Sequence, residues 1–311
     1  MARYMARKRV KPLQQHAVAS DFLTVYGKVW KDIYISEPAD PSRVLSLRPS
    51  QLPFCPVGFF INHALRGMYR SLDLAGGYYT SVGTTVHTVM QTWLPQSSRF
   101  LADYQCHECG KWHRLSHNWE CCGFPCEYHE VQINYKGVVG HIDGIYLDKQ
   151  GNYWILDFKT TSKAGSEKKR KDPGPVYREQ VEAYAYFIYK QYKIKVKGVM
   201  LVFVIRDNPA TPVVWAREIT AQDRINIKNR FIEYKRMQQV ALDVATEKQA
   251  IALFKTYGRC VDPDCEHCVK DDEIIKSRLV NAYRRGAAAK FLPIRATAEK
   301  ALAAKARARL K

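Results

Sequence analysis

Three charged side chains on two neighbouring segments could act together on a phosphate. The segment Tyr153-Trp154-Ile155-Leu156-Asp157-Phe158-Lys159 reads as a strand, so Asp157 and Lys159 leave one face while Leu156 and Phe158 leave the other. A carboxylate and an ammonium on an otherwise apolar strand need a reason, because burying charge is costly without a partner. Upstream, Gly140-His141-Ile142-Asp143-Gly144 sets another acid on the adjacent strand, with 13 residues between Asp143 and Asp157. Two converging carboxylates can hold magnesium or manganese, hard cations that take oxygen ligands and keep several waters. Such a cation polarises a phosphodiester and acidifies an attacking water. The backbone carbonyl of Phe158 could add a ligand, and Lys159 could orient the water and stabilise charge on the phosphorus centre. Taken alone, Asp157 and Lys159 would more simply be an exposed salt bridge.

The elements that must position these groups can be read around them. Residues 130–135, 138–147 and 152–159 read as three strands joined by turns at Lys136-Gly137 and residues 148–151, an antiparallel meander. Helices are expected over 57–69 and 79–93, the second ending at Pro95. A polar, lysine-rich loop at 162–174 precedes a helix opened by Pro175 and reaching about residue 192. Residues 196–206 and 212–220 read as further strands, and a long polar helix starts near Ala221. The expected fold class is α/β, a small mixed central sheet flanked by helices with a Cys-rich insertion.

Further residues join the constellation in a fixed order. Gly83-x-x-x-His87 falls on a predicted helix, Glu130 opens the first strand, and Gln180-Val-Glu-Ala-Tyr184 puts two polar groups on one helical face. The series His, Glu, Gly-x-x-Asp, Asp-x-Lys-Thr-Thr, Gln-xxx-Tyr resembles the PD-(D/E)XK nuclease superfamily in its RecB-like branch, over roughly residues 50–270. The resemblance implies a restriction-endonuclease-like core at 49–270 and metal-dependent cleavage of DNA, more exonucleolytic than endonucleolytic. It implies metal ligation by His87, Asp143 and Asp157, and catalysis by Lys159. Gln180 and Tyr184 would position DNA or the lysine. Read without the resemblance, His87 is a core histidine and Tyr184 a helix–sheet packing residue. The competing class is a DNA-binding or assembly subunit with structural metals and little nuclease activity; intact Asp143, Asp157 and Lys159 speak against it.

Nine cysteines fall in groups: Cys55 alone, then Cys106, Cys109, Cys121, Cys122 and Cys126, then Cys260, Cys265 and Cys268. An odd count in grouped positions suggests metal ligation rather than a disulfide framework. In the middle group, within an insertion at 104–128, a structural zinc is expected on Cys106, Cys109, Cys126 and one of Cys121 or Cys122, because adjacent cysteines do not both reach one ion comfortably. One cysteine ahead of the core and three after it resembles the iron–sulfur RecB-like nucleases, among them CRISPR-associated exonucleases and AddB-type helicase–nucleases. That likeness implies a [4Fe–4S] cluster on Cys55, Cys260, Cys265 and Cys268, with zinc as the alternative.

Of the formal charge of +19, residues 1–11 supply five basic groups and no acid, and residues 276–311 supply eleven and one, together +15. The ends 1–48 and 271–311 are thus expected to be basic arms suited to phosphate contact. A globular composition and a longest apolar run of seven residues, 199–205, exclude a disordered chain and a membrane span. A soluble, cytoplasmic protein of a bacterium or a virus-infected cell is expected, with DNA and replication, recombination or repair proteins as partners.

Overall fold

Alternating and β-branched stretches from residue 100 onward become strands, and longer amphipathic stretches become helices. The computed structural model describes residues 47–51, 55, 57–58, 60–61, 74–244, 246–257, 268 and 272–288. The chain divides into two units. Of Met1–Pro38 with Tyr69–Thr80 only residues 74–80 are described; Ala39–Met68 with Ser81–Lys311 carries everything discussed below. In chain order, helix α1 (Leu74–Trp93) leads to β1 (Phe100–Gln105), β2 (Trp112–Ser116), β3 (Glu120–Cys121), β4 (Phe124–Pro125) and β5 (Glu127–His129). Next come β6 (Val131–Tyr135), β7 (Val138–Ile142), β8 (Gly144–Leu147) and β9 (Tyr153–Thr161). Helices α2 (Lys163–Lys171) and α3 (Pro175–Tyr192) follow, then β10 (Gly198–Ile205), β11 (Asn208–Glu218), α4 (Ala221–Leu242), α5 (Glu247–Tyr257) and α6 (Asp272–Ala288).

The main sheet runs β11-β10-β9-β8-β1-β2, with β5 also paired to β1. It is mixed: β9 and β10 are parallel, bridged by the α2–α3 crossover that parallel strands require, and the other pairs are antiparallel. Ile155, Leu156, Asp157 and Phe158 are all buried, since β9 is covered on both faces. Ile155 packs with Val199, Leu201 and Phe203 against Val181 and Ile188 of α3. Leu156 and Phe158 point to the opposite core, with Phe100, Tyr104 and Met90. Asp157 and Lys159 therefore share the α3 face, as the alternation predicts.

Two expectations need correction. The strand expected over 138–147 is two strands that part at Asp143. β7 pairs with β6 through a turn whose two residues, Lys136 and Gly137, have φ of 50° and 83°, while β8 joins β9 and β1. The pairings of the meander hold, but the chain changes partner where the buried Asp143 turns inward. The loop expected at 162–174 contains α2, capped by Ser162, whose hydroxyl accepts from Gly165 N at 3.2 Å. Four basic residues in its last turn complement the helix dipole. At the insertion expected over 104–128, Tyr104 and Gln105 belong to β1, which is buried at Phe100–Tyr104 and to which β2 and β5 pair antiparallel. The arm expected from 271 begins with α6, whose Ile275, Leu279 and Ala282 are buried against Leu253, Phe254 and Val57. Their spacing of four and three residues marks a packed helical face. Residues 1–46 and 289–311, the remainder of both basic arms, lie outside the described residues.

Candidate active site

Asp143, at the fork between β7 and β8, organises the site. Its Oδ2 accepts the amide of Phe158 at 2.6 Å, which ties it to β9, and its backbone carbonyl accepts the phenol of Tyr128. Its other oxygen, Oδ1, lies 3.4 Å from His87 Nδ1 of α1. Burial alone would lower the His87 pKa, but the hydrogen bond and charge of Asp143 outweigh it and raise the value. Ligand atoms of His87, Glu130 and Asp143 all lie within 4.8 Å of one another. Glu130, just before β6, accepts from Gln91 Nε2 at 3.1 Å and faces His141 Nδ1 at 3.2 Å. His141 holds the Glu130 carboxyl below its usual range.

Asp157 stands one strand away and is oriented differently. Its Oδ1 accepts from Gln180 Nε2 at 3.3 Å, and the same amide reaches the Tyr184 hydroxyl at 3.3 Å. Lys159 Nζ lies 2.5 Å from Asp157 Oδ2, a close buried ion pair. Burial pushes the Asp157 carboxyl up to about 6 against the pull of the lysine. For Lys159, burial opposes the ammonium, and the Asp157 charge overrides it to raise the pKa. Tyr177 of α3 lies beside it, ring centroid 5.6 Å from Nζ. Tyr184 has its pKa raised by burial and stays a neutral phenol.

Two glycines permit these approaches. A methyl at Gly140 would sit 2.9 Å from Tyr184 Cε1 and 3.1 Å from Pro49 Cδ; at Gly144 it would run into the Phe100 ring. The structure thus brings His87, Glu130 and Asp143 to one point, and places Asp157, Lys159, Gln180 and Tyr184 in a hydrogen-bonded row beside it. Phe158 contributes its amide to Asp143. Sequence reasoning missed Gln91, although it lies four residues after His87 on one face of α1. It also missed His141, inside the glycine motif, and Tyr128. The donor set, rich in carboxylate oxygen with one imidazole, fits a hard divalent cation.

The cysteines form a second cluster. Sulfurs of Cys106, Cys109, Cys121 and Cys122 lie within 4.8 Å of one another, with 3.8 Å between Cys109 and Cys121 and between Cys121 and Cys122. Cys126 is left out of this group, and both adjacent cysteines are in it. Cys122 and Gly123 form the two-residue turn between β3 and β4, with φ of 55° and 80°. This left-handed turn swings the Cys122 thiol beside that of Cys121. Backbone hydrogen bonding lowers the Cys106 pKa to about 7, while neighbouring thiols push Cys122 up to about 12. Elsewhere Cys55 Sγ and Cys268 Sγ approach to 3.4 Å. Cys260 and Cys265 lie outside the described residues.

The sequence matches the PD-(D/E)XK nuclease superfamily over residues 48–270, and the chain belongs to that superfamily. No curated protein matches it. Solved structures similar to it include LHK-Exo in complex with dAMP, at 10% identity and a TM-score of 0.40 over 67% of this chain and 92% of that one. The alkaline exonuclease LHK-Exo from Laribacter hongkongensis is similar at 9% identity and a TM-score of 0.37, over 68% and 94%. SSO0001 is similar at 10% identity and a TM-score of 0.36, over 80% and 98%. Among the described residues, no helix is long and apolar enough to cross a membrane.

Proposed function

We propose that the chain is a magnesium- or manganese-dependent deoxyribonuclease of the RecB-like branch, acting as an exonuclease in DNA recombination, repair or processing. The observation that carries this reading is the meeting of His87, Glu130 and Asp143 at one point, flanked by the Asp157–Lys159 pair. His87, Glu130, Asp143 and Asp157 would hold the cation, and the carbonyl of Phe158 could complete the set. The cation supplies phosphate polarisation and a water of lowered pKa. Lys159, held protonated by Asp157, sets a positive charge where the phosphorus centre gathers negative charge. Gln180 fixes the Asp157 carboxylate, and Tyr184 fixes Gln180.

The other metals are structural in this reading. Sulfurs at 2.3 Å around a tetrahedral zinc stand about 3.8 Å apart. That spacing recurs in the Cys106, Cys109, Cys121, Cys122 group and supports zinc there. For Cys55, Cys260, Cys265 and Cys268 the family resemblance supports a [4Fe–4S] cluster. The 3.4 Å approach of Cys55 and Cys268 favours a single ion such as zinc, because each thiolate of a four-cysteine cluster binds its own iron.

Digestion of end-labelled single- and double-stranded DNA under magnesium and manganese titration tests the function. Release of mononucleotides or short products from one end, abolished by EDTA, is expected. No cleavage with either metal over a broad pH range would leave a DNA-binding subunit.

A further inference from the structure

A groove of about 270 Å³ opens between the β6–β7 turn, α3 and α4, lined by Tyr135, Tyr186, Lys136, Lys190, Lys228 and Lys235 among others. Four lysines border it, and no acidic residue lines it. Three ammoniums are held by uncharged partners. Lys136 lies 5.6 Å from the Tyr135 ring centroid and Lys190 5.3 Å from that of Tyr186, while Lys235 donates to the Lys136 carbonyl at 2.8 Å. Such ring contacts orient a cation without cancelling its charge. No ion pair with a carboxylate joins any of the four among the described residues. Like charges gathered and left uncompensated raise the local potential, which an incoming anion lowers.

The groove is not the catalytic centre. Gln180 and Tyr184 of α3 turn towards Asp157, and Tyr186 lies about 200° round the helix from Tyr184. Its volume falls just below the range of small-molecule sites, and its polar lining is basic, which suits passing phosphates better than an enclosed ligand.

We propose that this lysine groove binds the sugar–phosphate backbone of a DNA strand outside the catalytic centre. The choice of DNA rests on the nuclease reading above, whereas the test does not depend on cleavage. Lys228 and Lys235 are exposed on α4 and can be neutralised without opening a core. The full-length Lys228→Gln/Lys235→Gln protein should bind oligothymidylate of about 16 nucleotides, in EDTA, with a salt slope shallower by about 1.4 and roughly tenfold weaker affinity at 0.15 M salt. Lys149→Gln/Lys248→Gln removes the same charge at exposed sites elsewhere and should bind like wild type. Lys228→Arg/Lys235→Arg should keep the wild-type slope. Thermal melting confirms folding of each variant. If the groove and control variants share one slope and affinity, the proposal is wrong. A groove variant that binds as expected while the wild type cuts with neither magnesium nor manganese would refute the nuclease reading alone.

Discussion

Gly140→Ala tests how the active site is built, because it adds one methyl at a measured distance. Gly140 has no positive φ, so alanine meets no backbone strain there. Its Cβ would lie 2.9 Å from Tyr184 Cε1, about 0.6 Å inside the roughly 3.5 Å of an ordinary carbon contact. Neither neighbour gives easily: Tyr184 is 4% exposed and held through its hydroxyl, and the Pro49 ring is rigid. Overpacking of this kind costs about 1–3 kcal/mol. The loss of unfolded-chain freedom returns about 0.4–1 kcal/mol. The net expectation is a protein less stable by about 1–2 kcal/mol in urea unfolding monitored in EDTA. Tyr184→Leu removes the ring, so in that background the alanine should cost little beyond its Pro49 contact. The coupling in the double-mutant cycle should be about 1 kcal/mol or more. Displacing Tyr184 also disturbs Gln180 and through it Asp157, so DNA cleavage should fall by up to about a hundredfold. Additive effects, or an alanine protein as stable and active as wild type, would refute the close Gly140–Tyr184 contact and its role in setting Asp157.

Lys159→Met and Asp157→Asn should each lower cleavage by at least about a hundredfold, read by end-labelled digestion, while DNA affinity in EDTA stays near wild type. Near-normal turnover in either would remove that residue from the chemistry. In metal-free protein the Asp157 carboxyl, pushed up to about 6, is protonated in the folded state across a range where the unfolded chain has already lost that proton. Its contribution is present below about pH 4 and lost as pH rises through about 6, up to about 3 kcal/mol; Asp157→Asn should flatten this limb of the stability–pH curve. An unchanged limb in the variant would assign the slope to other groups. Metal analysis separates the cysteine sets. Cys122→Ser should lower zinc content and Cys126→Ser should not, and absorbance near 400 nm lost in Cys268→Ser would mark an iron–sulfur clasp.

The residues that bear charge on apolar strands were legible because they break a local rule. Asp157 and Lys159 interrupt a buried strand, and the structure pairs them on the face that alternation assigns. The helix from Pro175 and the strand expected over 196–206, observed as β10 at Gly198–Ile205, were equally plain, since proline and β-branched residues act through the backbone itself. What escaped depends on contacts distant in sequence. Nothing local shows that the chain changes partner at Asp143, because β-branched residues, Val138, Val139 and Ile142 before it and Ile145 after it, mark strand on both sides. The break becomes necessary only when the carboxylate must reach the Phe158 amide and His87 together. The lysine-rich stretch at 163–171 has little apolar face to signal a helix; its Ser162 cap and basic last turn hold it. Which cysteines gather turned on a single dihedral. Two adjacent cysteines rarely share an ion in extended backbone, and a left-handed φ of 55° at Cys122 removes that objection. The glycine after it was the available signal, because Cys122-Gly123 between two short strands has the form of a two-residue turn with positive φ at both positions. The hairpin gathers Cys122 with Cys106, Cys109 and Cys121 and leaves Cys126 outside that group, so the metal content of the Cys126→Ser protein tests whether Cys126 is a ligand.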